Sequence, residues 1–175
     1  MKIDKTWTLF LDRDGVINLP KPPHEYITTL EEFVLINGTL EALQKAKYLF
    51  GRIIILTNQR GIGRGIVSAL QVEAIHRHLL ALTEEAGAKI DAIYYCPHLE
   101  GCSCRKPNPG LAQAAQHDFP EIDFTKSIMV GDSTIDMEFA KNLGMRAFAV
   151  GWEEISKELY EKKFADLYSF MKTLS

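Results

Sequence analysis

The chain has 175 residues, of which 46% are hydrophobic, 25% charged and 10% aromatic, a balance that closes one core and excludes a disordered chain. That length predicts a single domain over 1–175. A formal net charge of −3 leaves no broad basic face for nucleic acid, and apolar runs such as Arg52-Ile53-Ile54-Ile55-Leu56 fall well short of the roughly 20 residues a membrane span needs.

Met1-Lys2-Ile3-Asp4-Lys5 carries charge where a signal peptide would build its apolar segment, so the expected location is the cytoplasm. Trp7 to Leu11 then reads as a buried strand, Thr39 to Phe50 as a helix, Arg52 to Thr57 as a second strand and Ser68 to Ala86 as a longer helix. The pattern continues with a strand at Asp91 to Cys96, a helix at Pro109 to Asp118 and a strand at Ser127 to Gly131. A helix at Ile135 to Asn142 closed by Gly144, a fifth strand at Met145 to Val150 and a terminal helix at Ala165 to Leu174 complete it. Strands alternating with helices predict an α/β fold, a doubly wound, Rossmann-like parallel sheet in three layers. No repeat or linker interrupts it.

Such sheets bind ligands at the carboxyl ends of their strands, and here those positions are polar. Asp12-Arg13-Asp14-Gly15 follows the first strand, Thr57-Asn58-Gln59 the second, Cys96-Pro97-His98 the third and Asp132 the fourth. Two aspartates two residues apart divide the labour of phosphoryl transfer, one attacking phosphorus and the other moving protons; the alternative is a plain Asp-Gly turn. Thr57 and Asn58 offer a hydroxyl and backbone donors to phosphate oxygens, or simply run into a polar loop. Lys106 supplies a fixed cation for a phosphoryl group in its transition state, or is a solvated lysine. Asp132 would repel Asp12 unless a divalent cation sat between them, and hard oxygen ligands with phosphate point to Mg²⁺. Asp136, one helical turn on, caps the helix or orders the loop.

The three cysteines lie within nine residues. Cys96, His98, Cys102 and Cys104 supply three thiols and an imidazole, the donor set of a closed, structural zinc site; a buried cysteine, a redox pair and chance are the alternatives. Cys104 adjoins Arg105 and Lys106, so zinc would fix the loop that carries both cations.

Phe10-Leu11-Asp12-Arg13-Asp14-Gly15-Val16, Leu56-Thr57-Asn58, Lys106 and Gly131-Asp132 through Asp136 resemble the four ordered motifs of the haloacid dehalogenase-like phosphatases. The resemblance implies Asp12 as nucleophile, Asp14 as acid/base, Thr57 and Lys106 as phosphate holders, and Mg²⁺ held by Asp12, the Asp14 carbonyl and Asp132. Asp14 must then be raised above an ordinary aspartate, at least when substrate is bound, to donate a proton near neutral pH. Asp-Arg-Asp-Gly-Val-Ile-Asn at 12–18, Thr-Asn-Gln-Arg-Gly-Ile-Gly-Arg-Gly at 57–65, Tyr-Tyr-Cys-Pro-His at 94–98 and Cys-Arg-Lys-Pro at 104–107 are similar to the subfamily of heptose 1,7-bisphosphate 7-phosphatases and histidinol-phosphate phosphatases. That likeness implies substrate contacts from Asn58, Gln59, Arg60 and Arg105, with Tyr26 on a flap and Arg64 bordering the pocket. Arginine suits a bisphosphate because its planar fork pairs with phosphate oxygens.

The implied substrate is a small phosphorylated sugar, D-glycero-D-manno-heptose 1,7-bisphosphate, with histidinol phosphate as the second reading and a catalytically silent, zinc-stabilised binding module as the third. The short His98–Cys102 loop and Ser133, where several relatives carry lysine, leave the anomer open. The spacing of the motifs has no room for a separate cap domain, and no apolar stripe marks an oligomer interface, so an open site on a monomer is expected.

Overall fold

The computed structural model describes residues 2–174. Six strands, β1 (Thr8–Leu11), β2 (Arg52–Asn58), β3 (Ala92–Cys96), β4 (Ser127–Gly131), β5 (Arg146–Val150) and β6 (Lys162–Phe164), form one sheet in the order β3-β2-β1-β4-β5-β6. Every neighbouring pair is parallel, which requires crossover connections. Helices α1 (Thr39–Leu49), α2 (Arg60–Gly63), α3 (Ala69–Glu85), α4 (Gly110–Asp118), α5 (Thr134–Leu143) and α6 (Leu167–Lys172) lie along those connections and the terminus.

Alternate strand residues feed two cores. Leu9, Leu11, Ile53, Ile55, Ile128 and Val130 meet Leu43, Ile75, Leu79 and Phe170 from α1, α3 and α6. Phe10, Ile54, Leu56 and Met129 face the other way, onto Leu111, Ala115, Met137 and Phe139 of α4 and α5. Cover on both faces is why the strands read as unbroken apolar runs rather than alternating ones. The result is the expected three-layer, doubly wound sheet. Because β1 is flanked by β2 on one side and β4 on the other, the winding reverses at β1, and the carboxyl end of β1 opens into the switch-point crevice.

The five predicted strands form with ends shifted by at most one residue, and the five predicted helices with ends shifted by at most two. Local chemistry sets those ends. Ser68 and Gln71 exchange side-chain and backbone hydrogen bonds in a capping box at the start of α3, and Gly144, at φ 72°, closes α5 in the left-handed conformation. The sequence reading does not contain β6, α2 or the 3₁₀ turn Phe124–Lys126. β6 is a short Lys-Lys-Phe edge strand with no buried position, a protected edge rather than a core strand. The Arg-Gly-Ile-Gly sequence of α2 has poor intrinsic helix propensity, and its single turn is fixed by its surroundings. Among the described residues no helix is long and apolar enough to cross a membrane.

Candidate active site

The ends of β1, β2 and β4 and the start of α5 surround a cleft of about 230 Å³ lined by Asp12, Asp14, Thr57, Arg105, Lys106 and Asp132, among others. Asp12 leaves β1 with its N–H donating to the Val130 carbonyl at 3.0 Å, which ties it to β4. Its Oδ1 lies 3.0 Å from Lys106 Nζ, and the same ammonium lies 2.6 Å from Asp136 Oδ1. Lys106 is 1% exposed. Burial lowers its basicity, but the Asp12 and Asp136 carboxylates outweigh that and hold it above an ordinary lysine.

Asp12, Asp132 and Asp136 each offer a carboxylate oxygen, all within 4.8 Å of one another. Burial, then the Asp136 charge, pushes Asp12 up to about 7 despite Lys106; burial, then the Asp12 and Asp136 charges, pushes Asp132 up to about 8. Three carboxylates against one ammonium leave excess negative charge, which protonation or a hard divalent cation relieves. Gly15 makes the approach possible, since a β-carbon there would fall 1.8 Å from Asp132 Oδ2. The donor set therefore fits Mg²⁺. Asp136 has more work than the sequence reading assigned: besides closing a capping box with Ser133 at the start of α5, it is the buried counter-ion of Lys106. No local pattern marks that second role, because the partners are 30 residues apart.

Burial raises Asp14, but the Arg13 guanidinium and hydrogen bonds from Asn18, Arg13 and Gln59 together hold it below an ordinary aspartate, so the rise that proton donation requires has to come with bound substrate. Arg13 Nη2 donates to both oxygens at 2.9 and 3.1 Å, Asn18 Nδ2 to Oδ1 at 2.9 Å and Gln59 Nε2 to Oδ2 at 3.0 Å. These donors favour the charged form. Arg13 and Asn18 stand in the first motif without a role in the sequence reading, because that role depends on the turn at Gly15, where the N–H donates to the Asn18 carbonyl at 2.8 Å.

The second strand end is more internally engaged than expected. Thr57 is buried, and its Oγ1 accepts from Gln59 Nε2 at 2.9 Å. Gln59, itself buried, thus bridges Thr57 and Asp14. Asn58 clamps Lys106 through its backbone, donating to the carbonyl at 3.1 Å and accepting from the N–H at 3.0 Å. Tyr26, on the segment between β1 and α1, lines an adjoining cleft of about 140 Å³ with Arg13, Asp14, Asn58 and Gln59, its ring seated on Gly61. Arg105 lines the main cleft and carries a buried Nη1 without a partner among the described residues; Arg60 has a buried Nε in the same condition. Arg60 and Arg64 line neither cleft.

The four donors read as a zinc set do converge. His98 Nδ1 lies 3.5 Å from Cys96 Sγ and 3.2 Å from Cys104 Sγ, and Cys96 Sγ lies 3.5 and 3.0 Å from Cys102 and Cys104 Sγ. The thiols are free rather than disulfide-bonded. Three sulfurs and one imidazole nitrogen this close are the donor set of a closed structural zinc centre. Burial, then the Cys104 thiol, pushes Cys96 up to about 12; for Cys102, burial is outweighed by the Arg105 N–H and the neighbouring thiols, which bring it to about 6. The pairing of β3 with β2 sets Cys96 opposite Asn58, so the cluster adjoins the catalytic rim through a sheet register.

Comparison with known proteins agrees with this geometry. The HAD-hydrolase-like family model matches residues 103–168, which include Lys106, Asp132 and Asp136. The chain is 38% identical over 170 residues to the D-glycero-alpha-D-manno-heptose-1,7-bisphosphate 7-phosphatase of Mycobacterium tuberculosis, covering 94% of this chain and 89% of that protein. It is 41% identical over 144 residues to the D-glycero-beta-D-manno-heptose-1,7-bisphosphate 7-phosphatase of Pseudomonas putida, covering 81% of each. A crystal structure of D,D-heptose 1,7-bisphosphate phosphatase from B. bronchiseptica, complexed with magnesium and phosphate, superposes with a TM-score of 0.83 at 26% identity, covering 95% of this chain and 97% of that one. A parallel sheet wound both ways about β1, a lysine braced by two carboxylates at its rim and this level of likeness over nearly the whole chain lead to one assignment: the chain belongs to the heptose bisphosphate phosphatase family of haloacid dehalogenase-like hydrolases.

Proposed function

We propose that the protein is a Mg²⁺-dependent phosphatase that removes the C7 phosphate of D-glycero-D-manno-heptose 1,7-bisphosphate through an aspartyl phosphate. The observation that carries this reading is the contact of Asp12 Oδ1 with Lys106 Nζ at 3.0 Å, in a cleft that Asp14, Thr57 and Asp132 also line. Asp12 is the nucleophile. Its other oxygen attacks phosphorus while Lys106, too buried to swing away, holds charge on the phosphoryl oxygens. Thr57 Oγ1 and the backbone beyond it take further oxygens. Asp12, Asp132 and the Asp14 carbonyl would hold Mg²⁺, which when bound supplies charge neutralisation for the incoming phosphate.

Asp14 gives a proton to the departing alkoxide and later takes one from the water that opens the aspartyl phosphate. Its donors favour the second role. The raising influence needed for the first comes from the dianionic phosphate beside it, a like charge. Gln59 and Asn58 act chiefly by holding Asp14, Thr57 and Lys106 in place, a narrower part than direct substrate contact. Arg105, which lines the main cleft with a buried N–H awaiting an acceptor, suits the second phosphate, with Tyr26, Arg60 and Arg64 at the margin.

The zinc cluster is structural, the chain works as a single domain and as a monomer, its cleft being assembled from one chain, and its free thiols suit the cytoplasm. Relatives named for the alpha and for the beta anomer both match, so either anomer is a candidate substrate.

The test is phosphate release with Mg²⁺ from both heptose bisphosphate anomers and from histidinol phosphate, with Asp12→Asn as the blank. The expected result is preference for a bisphosphate and a loss of about 10⁴-fold or more in the variant, as for removal of a nucleophile. Preference for histidinol phosphate would overturn the substrate, and an Asp12→Asn variant indistinguishable from the parent would overturn the enzyme in favour of a binding module.

A further inference from the structure

Arg13 stands between the two aspartates in sequence, but its side chain turns inward and is 1% exposed. Nη2 grips both oxygens of Asp14, and Nη1 lies 3.1 Å from His76 Nε2. A guanidinium has five donors and no acceptor. The contact with His76 is therefore a hydrogen bond only when Nε2 is the bare nitrogen and the imidazole proton sits on Nδ1.

His76 occupies the inward face of α3 with Val72, Ile75 and Leu79 and is 6% exposed. The Tyr95 ring meets it edge-on at 5.6 Å, and the Tyr95 hydroxyl donates to Glu73 Oε1 at 2.9 Å, three residues before His76 on the same helix. Phe33 faces Arg13 with its ring centre 5.8 Å from Cζ. Arg13 Nε has no hydrogen-bond partner among the described residues. The buried guanidinium is thus anchored at its tip by one carboxylate and one imidazole, beside the Phe33 ring.

We infer that His76 is a positioning residue for the phosphatase reaction: by accepting from Arg13 it fixes the guanidinium in the orientation that aims the Asp14 carboxylate into the cleft. The role of Asp14 rests on the proposed phosphatase reading; the hydrogen bond does not. Burial, then the Arg13 charge, pushes His76 down to about 3, so the ring stays an acceptor at any pH near neutral. Leucine would fill the same space yet leave Nη1 buried and unpaired, which frees the guanidinium to rotate towards other acceptors. Glutamine keeps an acceptor.

Two measurements test this. In the ¹⁵N–¹H spectrum of the whole protein, His76 is expected as the Nδ1–H tautomer with Nε2 unprotonated from pH 6 to 8; an Nε2–H tautomer or an imidazolium overturns the hydrogen bond and the inference with it. The second compares His76→Leu and His76→Gln on a sugar phosphate, whose alkoxide needs the Asp14 proton, and on p-nitrophenyl phosphate, whose phenolate leaves without one. His76→Leu is expected to lose about 10- to 100-fold in kcat on the sugar phosphate, the scale of a displaced general acid, with KM within about threefold. The first burst of nitrophenolate is expected at the parent rate, and His76→Gln to regain most of the loss. Equal losses in the first, phosphorylation step on both leaving groups, or in both variants, would make His76 a packing residue and overturn the inference. A parent protein inactive on both phosphates would fail the phosphatase reading as well, a result distinct from either.

Discussion

The backbone at residue 15 has φ +83°, and a β-carbon built there would overlap Asp132 Oδ2 at 1.8 Å. Two separate demands therefore meet at one glycine: a left-handed turn that brings Asp14 round after β1, and a bare surface against which a carboxylate from β4 can lie. Gly15→Ala satisfies neither without moving Asp132, since the conformation is strained for any L side chain and the clash is with the carboxylate itself. The expected outcome is a rise of about tenfold or more in the Mg²⁺ concentration needed for half-maximal phosphate release, because a metal ligand shifted by an ångström loses affinity on this scale. Titration of the variant with Mg²⁺ checks it. An unchanged Mg²⁺ requirement would mean that Asp132 does not hold the ion.

The segment joining β3 to α4 is fastened twice, by the Cys96–His98–Cys102–Cys104 cluster and by the two hydrogen bonds of Asn58 to the Lys106 backbone. The backbone N–H of Arg105 also points at Cys102, so the thiol cluster and the two cations are parts of one turn. Removal of zinc should leave the sheet intact and loosen this turn, lowering kcat by about tenfold or more through misplaced Lys106 and Arg105. Circular dichroism is expected to keep its native shape while the thermal midpoint falls. Zinc, and not extra Mg²⁺, should restore both; full activity in zinc-stripped protein supplied with Mg²⁺ alone would show the cluster irrelevant to the rim.

The same segment marks what sequence reasoning can reach. Cys96, His98, Cys102 and Cys104 were legible because their donor chemistry is unusual and local. Asp12, Thr57, Lys106 and Asp132 were legible because each follows a buried strand or precedes a helix. Gln59 and Asn58 were legible as rim residues but not in direction: whether an amide faces substrate or a neighbour is decided by sheet register, here Asn58 opposite Cys96, and no spacing encodes that. Nothing local in the sequence distinguishes His76; the crossover of α3 brings it under Arg13, 63 residues away. The edge strand β6 was hidden for a different reason, since it has no buried position to leave a periodic trace.

At the scale of the whole molecule, the carboxyl end of the sheet stores unfavourable charge that folding creates and a cation relieves. Asp12 and Asp132 stand near about 7 and about 8 in the fold, against ordinary aspartates near about 4 in an unfolded chain. Between those values the folded protein binds more protons at these two groups than the unfolded one, so without metal their contribution to stability is fully present below about pH 4 and falls as pH rises through 7 and 8. Asp14, held low, has the opposite sign: its contribution is lost only as acid protonates it, well below neutrality. His76, pushed down to about 3, is neutral in both states above its ordinary value of about 6.5, and in a window from about pH 6.5 to about 8.5 the two raised aspartates oppose one group of the other sign, the Cys102 thiol brought to about 6. Across it, metal-stripped protein is expected to lose thermal stability as pH increases. Mg²⁺ binds the ionised carboxylates, so its stabilising effect is expected to grow over the same window, and titration at pH 7 should release protons, seen as a dependence of the binding heat on the buffer's ionisation enthalpy. Equal stabilisation by Mg²⁺ at both ends of the window, with no proton release, would mean that the carboxylates are already ionised in the metal-free fold.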